Sequence, residues 1–569
     1  MPPPSTIRII VPRRGRGRGD RVTRRTRIVI VTALAAFSPA SRAGGQSSPA
    51  GASIVIVTGQ QATIPIPTLM EGAAANVGNF DVADQLFLRL ADLGPGLVTA
   101  GDNGFLPGLA RSWTRRDSVT LAFELDPRAR WHDGAPVTAR DVVFTFSRAK
   151  DPDLAPRLAT LLRYVASVSA ETEHRVVFRF SQPYSEQLYD ATFHVAPLPS
   201  HLLASLPPEQ VAHSDFVSKP VGSGPYRWVR SVPGQFVELT ANPDFFLGKP
   251  KLDRVILRTA ADAAARVNLL LGGQADAMDN IPPPQDNLRR VAAKPDLRLI
   301  SVPSPTVGYL LFNQRDPRIR SRPHPILADV RVRRAITLGL DRRRIVQAVF
   351  GSHGAVPYGP VSQILWIRHR SPEPEQQDVT EARRLLAMAG WGDSDEDGTL
   401  DREGRPLALQ LILPNTSAIR RQMALLVQEQ LRQIGIRTEV HLLEVPVWLE
   451  RRTAGDFDVD FGAVTQDPSP SGLSQSWTCT GGSNVAGYCN REVDSLMQRA
   501  VLAQGDPAEF WIAALRQMEA DAPATFLYAP GYVYGVNRRF SNVAISPQSS
   551  WLLLRKWSVR TARTPQPGK

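Results

Sequence analysis

Residues 121–146 read LAFELDPRARWHDGAPVTARDVVFTF. The first five alternate, with Leu121, Phe123 and Leu125 on one face as a half-buried strand requires, and Pro127 cannot continue a ladder. Trp131, His132, Asp133 and Gly134 then make a polar turn in which Gly134 is free to take positive φ. Thr138 and Asp141 have the spacing of a capping box, and Val142, Val143 and Phe146 give the helix behind it an apolar face. The stretch is predicted as strand, turn, helix, with its polar residues used for geometry.

The surrounding chain is long enough for several cores. It has 569 residues, 43% of them hydrophobic, which predicts two or three lobes. Charged residues at 21% and aromatics at 7% are ordinary for a globular chain, so disorder is not the expectation. The net charge of +13 suggests a nucleic-acid binder until it is located. Ten arginines against Asp20 within residues 1–45 account for +9 of it, leaving +4 for the rest. No polybasic face is evident there, and no nucleic-acid partner is expected.

Residues 1–43 are predicted to be a secretory signal peptide. An arginine-rich segment, 13–27, precedes a thirteen-residue apolar run, 28–40, too short to span a bilayer, and Ser41 and Ala43 supply small residues before the cleavage point. Thr23, Arg24 and Arg25 resemble a twin-arginine signal. No cysteine follows, so a lipid anchor is not expected. Cys479 and Cys489, ten positions apart in a Gly/Ser/Asn-rich segment, fit export. In an oxidising compartment a disulfide there would contribute about 2–3 kcal/mol through loop entropy. Two unrelated thiols or half a metal site are the alternatives, disfavoured because no CxxC or adjacent histidine occurs.

Further strands are predicted at 54–57, 175–180, 252–257, 309–313, 407–413 and 437–443. Helices are predicted at 82–90, 261–272, 329–338, 341–350, 378–390, 417–434 and 448–453, with Asp329 and Asp341 as N-caps and Gly351 and Gly435 as stops. Strands alternating with helices imply parallel α/β sheets. The glycines of 220–226, PVGSGPY, read as a structural turn, because no Lys-Ser/Thr pair follows and Pro225 blocks a helix start. The arginines of 329–350 are expected on a solvated face.

Candidate chemistry is sparse. Asp393, Asp395, Asp397 and Asp401 follow the start of an EF-hand loop, but the twelfth position is Gly404 and Glu403 falls one place early. The segment reads as a solvated turn or a weak calcium site. Nine histidines show no short ligand spacing, so no zinc or nickel cage and no cofactor are expected. No G-x-S-x-G elbow occurs, which leaves an enzyme reading without a nucleophile.

The run 131–142 follows the pattern aromatic-His-Asp-Gly-x-Pro-hydrophobic-Thr-Ala-x-Asp-Val. With segments 106–113, 220–226, 273–276, 329–354 and 456–459, it resembles the extracytoplasmic solute-binding proteins of peptide/nickel-type ABC importers, family 5. The motifs run from about 80 to 560. The resemblance implies a type II periplasmic-binding-protein fold, with two α/β lobes, a hinge and an extra subdomain in the first lobe. It divides the mature chain into lobe I at 46–95, 216–303 and 526–562, the extra subdomain at 96–215, and lobe II at 304–525. It also implies a periplasmic monomer that is not an enzyme, and that passes a peptide or other small solute to a membrane permease with its ATPases. An exported hydrolase or chaperone-like peptide binder on the same scaffold is the alternative. The pocket residues it implies are Tyr309, Asn313, Phe461, Val464, Gln466, Asp467, Trp477 and Asn484. One departure stands out. Peptide-binding members resemble Gly-Trp-x-x-Asp-x-x-Asp-Pro here, their first aspartate pairing the ligand's amino terminus. Alignment on Asp467 and Pro468 puts Val464 there, and a valine cannot pair an ammonium.

Overall fold

The alternating run from Leu121 becomes a strand because both its faces find partners. In the computed structural model, which describes residues 52–282 and 284–560, Thr120–Leu125 is a central strand of a four-stranded antiparallel sheet. Its neighbours are Ala110–Asp117 and Arg175–Phe180, and Val165–Thr172 closes the far edge. Gly134 takes φ +94°, and Thr138 with Asp141 closes the capping box at the start of helix Ala139–Ala149. The buried Asp141 carboxylate also accepts from Trp131 Nε1 at 3.2 Å and from Ser200 N at 2.8 Å. One side chain therefore ties the turn, the helix and the segment at Ser200 together.

The 220–226 turn is structural, as expected. A Cβ on Gly222 would lie 1.8 Å from Leu86 O, so only bare backbone can pass. Gly224 N donates to Leu86 O at 2.7 Å. His132 clamps the turn from the other side: Nδ1 accepts from Gly222 N at 3.0 Å and Nε2 donates to Gly224 O at 3.1 Å.

A twelve-stranded sheet runs through both lobes, and it is mixed rather than parallel. Ser53–Thr58 pairs parallel with Arg254–Thr259 and Ala277–Met278, and Ala408–Pro414 pairs parallel with Arg437–Leu443 and Val459–Thr465. The hairpin of Tyr226–Val232 and Phe236–Ala241 runs antiparallel to its neighbour, as does the long strand Ala524–Asn537. That long strand serves both lobes, residues 524–528 pairing with 308–311 and residues 531–537 with 297–303. Buried side chains from 54–257 and 534–557, with Ala277 and Ile364, form one core, two others gather residues between 307 and 528, and a smaller one gathers residues between 57 and 297. The backbone crosses between these cores at 303–306 and again at 528–531, and this two-strand ribbon is the hinge. A Cβ on Gly308 would lie 1.9 Å from Tyr528 Cε1, so glycine lets the Tyr528 ring lie over the ribbon.

The predicted caps Asp329 and Asp341 hold, and Asp378 and Ser417 likewise accept a backbone N–H at a helix start. The solvated face expected for the arginines of 329–350 needs correction at two of them. Arg333 is 5% exposed and donates to the carbonyls of Leu327, Ala328, Asp521 and Ala522. Arg342, 4% exposed, donates to Phe526 O and Glu375 O. Arg333 satisfies orphan carbonyls at the end of helix Ala508–Asp521, where a cation also meets the negative end of the helix dipole. Among the described residues no helix is long and apolar enough to cross a membrane. The predicted signal peptide, 1–43, lies outside the described residues.

Candidate ligand-binding cleft

Strand Val459–Thr465 ends beside the hinge. Gln466 N donates to Pro305 O at 2.9 Å, its Nε2 donates to Pro360 O at 2.6 Å, and its Oε1 accepts from Ser362 N at 3.0 Å. These bonds fix the point where the strand turns into Asp467 and Pro468. Two cavities of about 280 and 410 Å³ meet there, sharing His194, Thr465, Gln466 and Asp467 in their walls.

The smaller cavity lies between segments 160–164 and 184–194 on one side and 464–477 on the other. Asp190 accepts from Tyr184 Oη at 2.7 Å and faces His194 Nε2 at 3.3 Å. The Tyr189 hydroxyl is buried without a partner. Burial, with the Asp190 carboxylate nearby, pushes the Tyr184 phenol up. The buried Glu186 carboxylate accepts from Thr99, Ser469 and Ser471. Burial pushes Glu186 up, and the hydroxyl bonds oppose that.

The larger cavity is walled by helix Val77–Leu86, by Phe193, by Tyr532 and Tyr534 of the long strand, and by 465–468. Asn76 starts the helix by accepting from Asn79 N at 3.1 Å, and eight of its ten residues are buried. Asp81 and Asp84 fall three apart, hence on one face. Arg89 pairs with Asp84 at 2.9 Å, and its Nε donates to Phe193 O at 2.9 Å. Asp81 has no such partner: it is 2% exposed and its Oδ2 accepts from nothing. Burial first, and then the Asp279 and Asp84 carboxylates, push Asp81 well above the usual carboxylate range.

Of the expected pocket residues, Val464, Gln466, Asp467 and Trp477 line the smaller cavity. The other four do not line either cavity. Tyr309 packs against Trp477 and Phe526, and Phe461 against Tyr528. Asn313 is fully buried, its Nδ2 donating to Gly455 O and Phe457 O and its Oδ1 accepting from Arg315 N. Asn484 donates to Thr478 O and Tyr488 O. The amides of Asn313 and Asn484 thus serve backbone groups. Sequence reasoning missed Asp81, Asp84, Glu186, Asp190 and His194. The available signal was two acids among the apolar residues of a helix that begins five residues before the predicted Val82.

Cys479 and Cys489 are joined, with Cα atoms 4.3 Å apart, and Trp477 stands just ahead of the closed loop. Asp393, Asp395 and Asp397 each bring a carboxylate oxygen within 4.8 Å of the others, all exposed. Asp393 and Asp397 accept from Gly398 N and Thr399 N, while Asp401 accepts from Ser394. These carboxylates bond the loop's own backbone.

Residues 104–486 match the bacterial extracellular solute-binding proteins, family 5, middle region. The chain is 27% identical over 437 residues to the oligopeptide-binding protein AppA of Bacillus subtilis, covering 75% of this chain and 78% of that one. The solved structure of Bacillus subtilis AppA in complex with a nonapeptide superposes with a TM-score of 0.70 at 25% identity, covering 90% of this chain and 99% of that one. NikA from Brucella suis, solved in complex with Fe(III)-EDTA, gives a TM-score of 0.76 at 17% identity over 89% of this chain and all of that one, and shows the same fold. A match over two-thirds of the sequence, on two lobes joined by two strands around a cleft, places this chain in the family 5 extracellular solute-binding proteins.

Proposed function

We propose that this chain is the periplasmic solute-binding component of an ABC importer. Exported by residues 1–43, it takes a peptide-like or other small solute between its lobes as a monomer and delivers it to a membrane permease with its ATPases, without catalysis. Lobe I comprises 46–95, 216–303 and 526–562, the extra subdomain 96–215, and lobe II 304–525. One observation carries the reading: both cavities draw their walls from the two sides of the hinge and meet beside its ribbon. A solute there touches both lobes, and only such differential contact shifts an open–shut balance. Val464, Gln466, Asp467 and Trp477 contact the solute from lobe II, while Tyr309, Asn313, Phe461 and Asn484 support them. Relatives bearing the names oligopeptide-binding and di/tripeptide-binding protein support a peptide-like ligand.

Native mass spectrometry of protein purified from its host, with small-angle scattering before and after ligand removal, tests this. A co-purified solute whose removal expands the molecule is the expected result. A radius of gyration indifferent to every ligand, or turnover of a peptide at enzymatic rates, overturns it.

A further inference from the structure

Asp81 is an unusual residue to bury. It lies at 2% exposure in the wall of the larger cavity, its Oδ2 unpartnered, and burial first, then Asp279 and Asp84, disfavour its ionised form, which lacks a cation beside it. A buried carboxylate without a donor is costly. The basic side chains in the same wall already face other acids: Arg89 is 2.9 Å from Asp84, Arg157 is 3.8 Å from Glu71, and His194 is 3.3 Å from Asp190. Asp467, exposed across the cavity on lobe II, adds a second negative group. Phe80, Phe87, Phe193, Tyr532 and Tyr534 supply aromatic walls to the same space. Negative charge set among ring faces favours a cation, by Coulomb attraction and by the ring quadrupole.

We propose that Asp81 is the anchor for a positively charged group of the solute, so that this chain selects ammonium- or guanidinium-bearing solutes and seats their cation against lobe I. The proposal rests on the solute-binding reading and narrows it to a charge class and an orientation. An ammonium at Asp81 donates to the unpartnered oxygen and offsets the charge that Asp84 and Asp279 impose. Asp467 then meets the same solute from the other lobe, so lobe closure brings a second carboxylate towards the cation.

The test uses the full mature chain, with thermal melting and calorimetric titration. Four probe sets are compared: short peptides lacking Lys, Arg and His; the same peptides N-acetylated; agmatine and spermidine; and dicarboxylates. At least one amine-bearing set is expected to raise Tm, while the acetylated peptides and dicarboxylates do not. Asp81→Asn, nearly identical in shape, is expected to weaken the amine-bearing probe at least tenfold while leaving the ligand-free Tm in place. If Asp81→Asn does not fold, the comparison of free with acetylated peptides on the native chain decides. Equal binding of acetylated or anionic probes, or undiminished amine binding by a folded Asp81→Asn, overturns the proposal and leaves the solute-binding reading intact. Silence from every amine-bearing probe overturns the proposal, while the solute-binding reading stands or falls on the co-purified solute.

Discussion

His132 can hold its turn only as the neutral ring. Nδ1 accepts from Gly222 N while Nε2 donates to Gly224 O, so a second ring proton has no acceptor and meets an N–H instead. Burial is the main cause that lowers its pKa from 6.5 to about 4. The folded ring therefore binds protons less readily than the unfolded one. The stability this contributes is fully present above pH 6.5 and is lost as pH falls through that value towards 4, by about 3 kcal/mol in all. Denaturant unfolding at a series of pH values is expected to show this slope, and His132→Ala to flatten it while lowering stability at pH 7. The same residue scale separates what was legible from what was not. Trp131, Gly134, Thr138 and Asp141 act within ten residues of one another, so spacing alone revealed them. Asp81 was illegible because its isolation depends on Asp84 being taken by Arg89 and on a cavity closed by Tyr534, more than 450 residues away.

At the scale of elements, local caps were readable and long-range pairings were not. Asp329 and Asp341 announce helices because an N-cap needs only its own first turn. The pairing of Leu297 with Asn537 has no signal in either segment, and it turns an expected parallel sheet into a mixed one. Arg333 is the same kind of surprise, since its four carbonyl partners come from two separate stretches of chain. Removing it leaves those carbonyls buried and unpaired, so Arg333→Ala is expected to cost about 2–4 kcal/mol, read as a fall in denaturation midpoint, without altering ligand specificity. Cys479 and Cys489 close a short loop whose base carries Trp477, a wall of the smaller cavity. Replacing both by serine is expected to lower stability by about 2–3 kcal/mol and to weaken ligand binding as well. A free-thiol titration of the denatured native chain should find no reactive cysteine.

For the molecule as a whole, the question is what bridges the two sides of the hinge. Glu186 reaches across the smaller cavity to Ser469 and Ser471, and its other oxygen accepts from Thr99, whose hydroxyl in turn accepts from Trp366 Nε1 at 3.2 Å. Ser185 N adds a bond to Val501 O at 3.2 Å. These contacts join parts of the chain on opposite sides of the hinge, and lobe opening would break them, so they bias the balance. A glutamine at 186 keeps the shape but presents an amide nitrogen that cannot accept, leaving at least one hydroxyl without its partner. The shut state then loses about 1–2 kcal/mol relative to the open one. Because only the shut state grips the solute fully, apparent affinity falls in proportion to its population, by about 5–30-fold. Glu186→Gln is therefore expected to bind ligand more weakly, to show a larger radius of gyration at subsaturating ligand, and to return to the native radius at saturation. A variant that melts earlier without ligand yet closes at the native concentration would show that Glu186 braces one lobe internally and has no part in the motion.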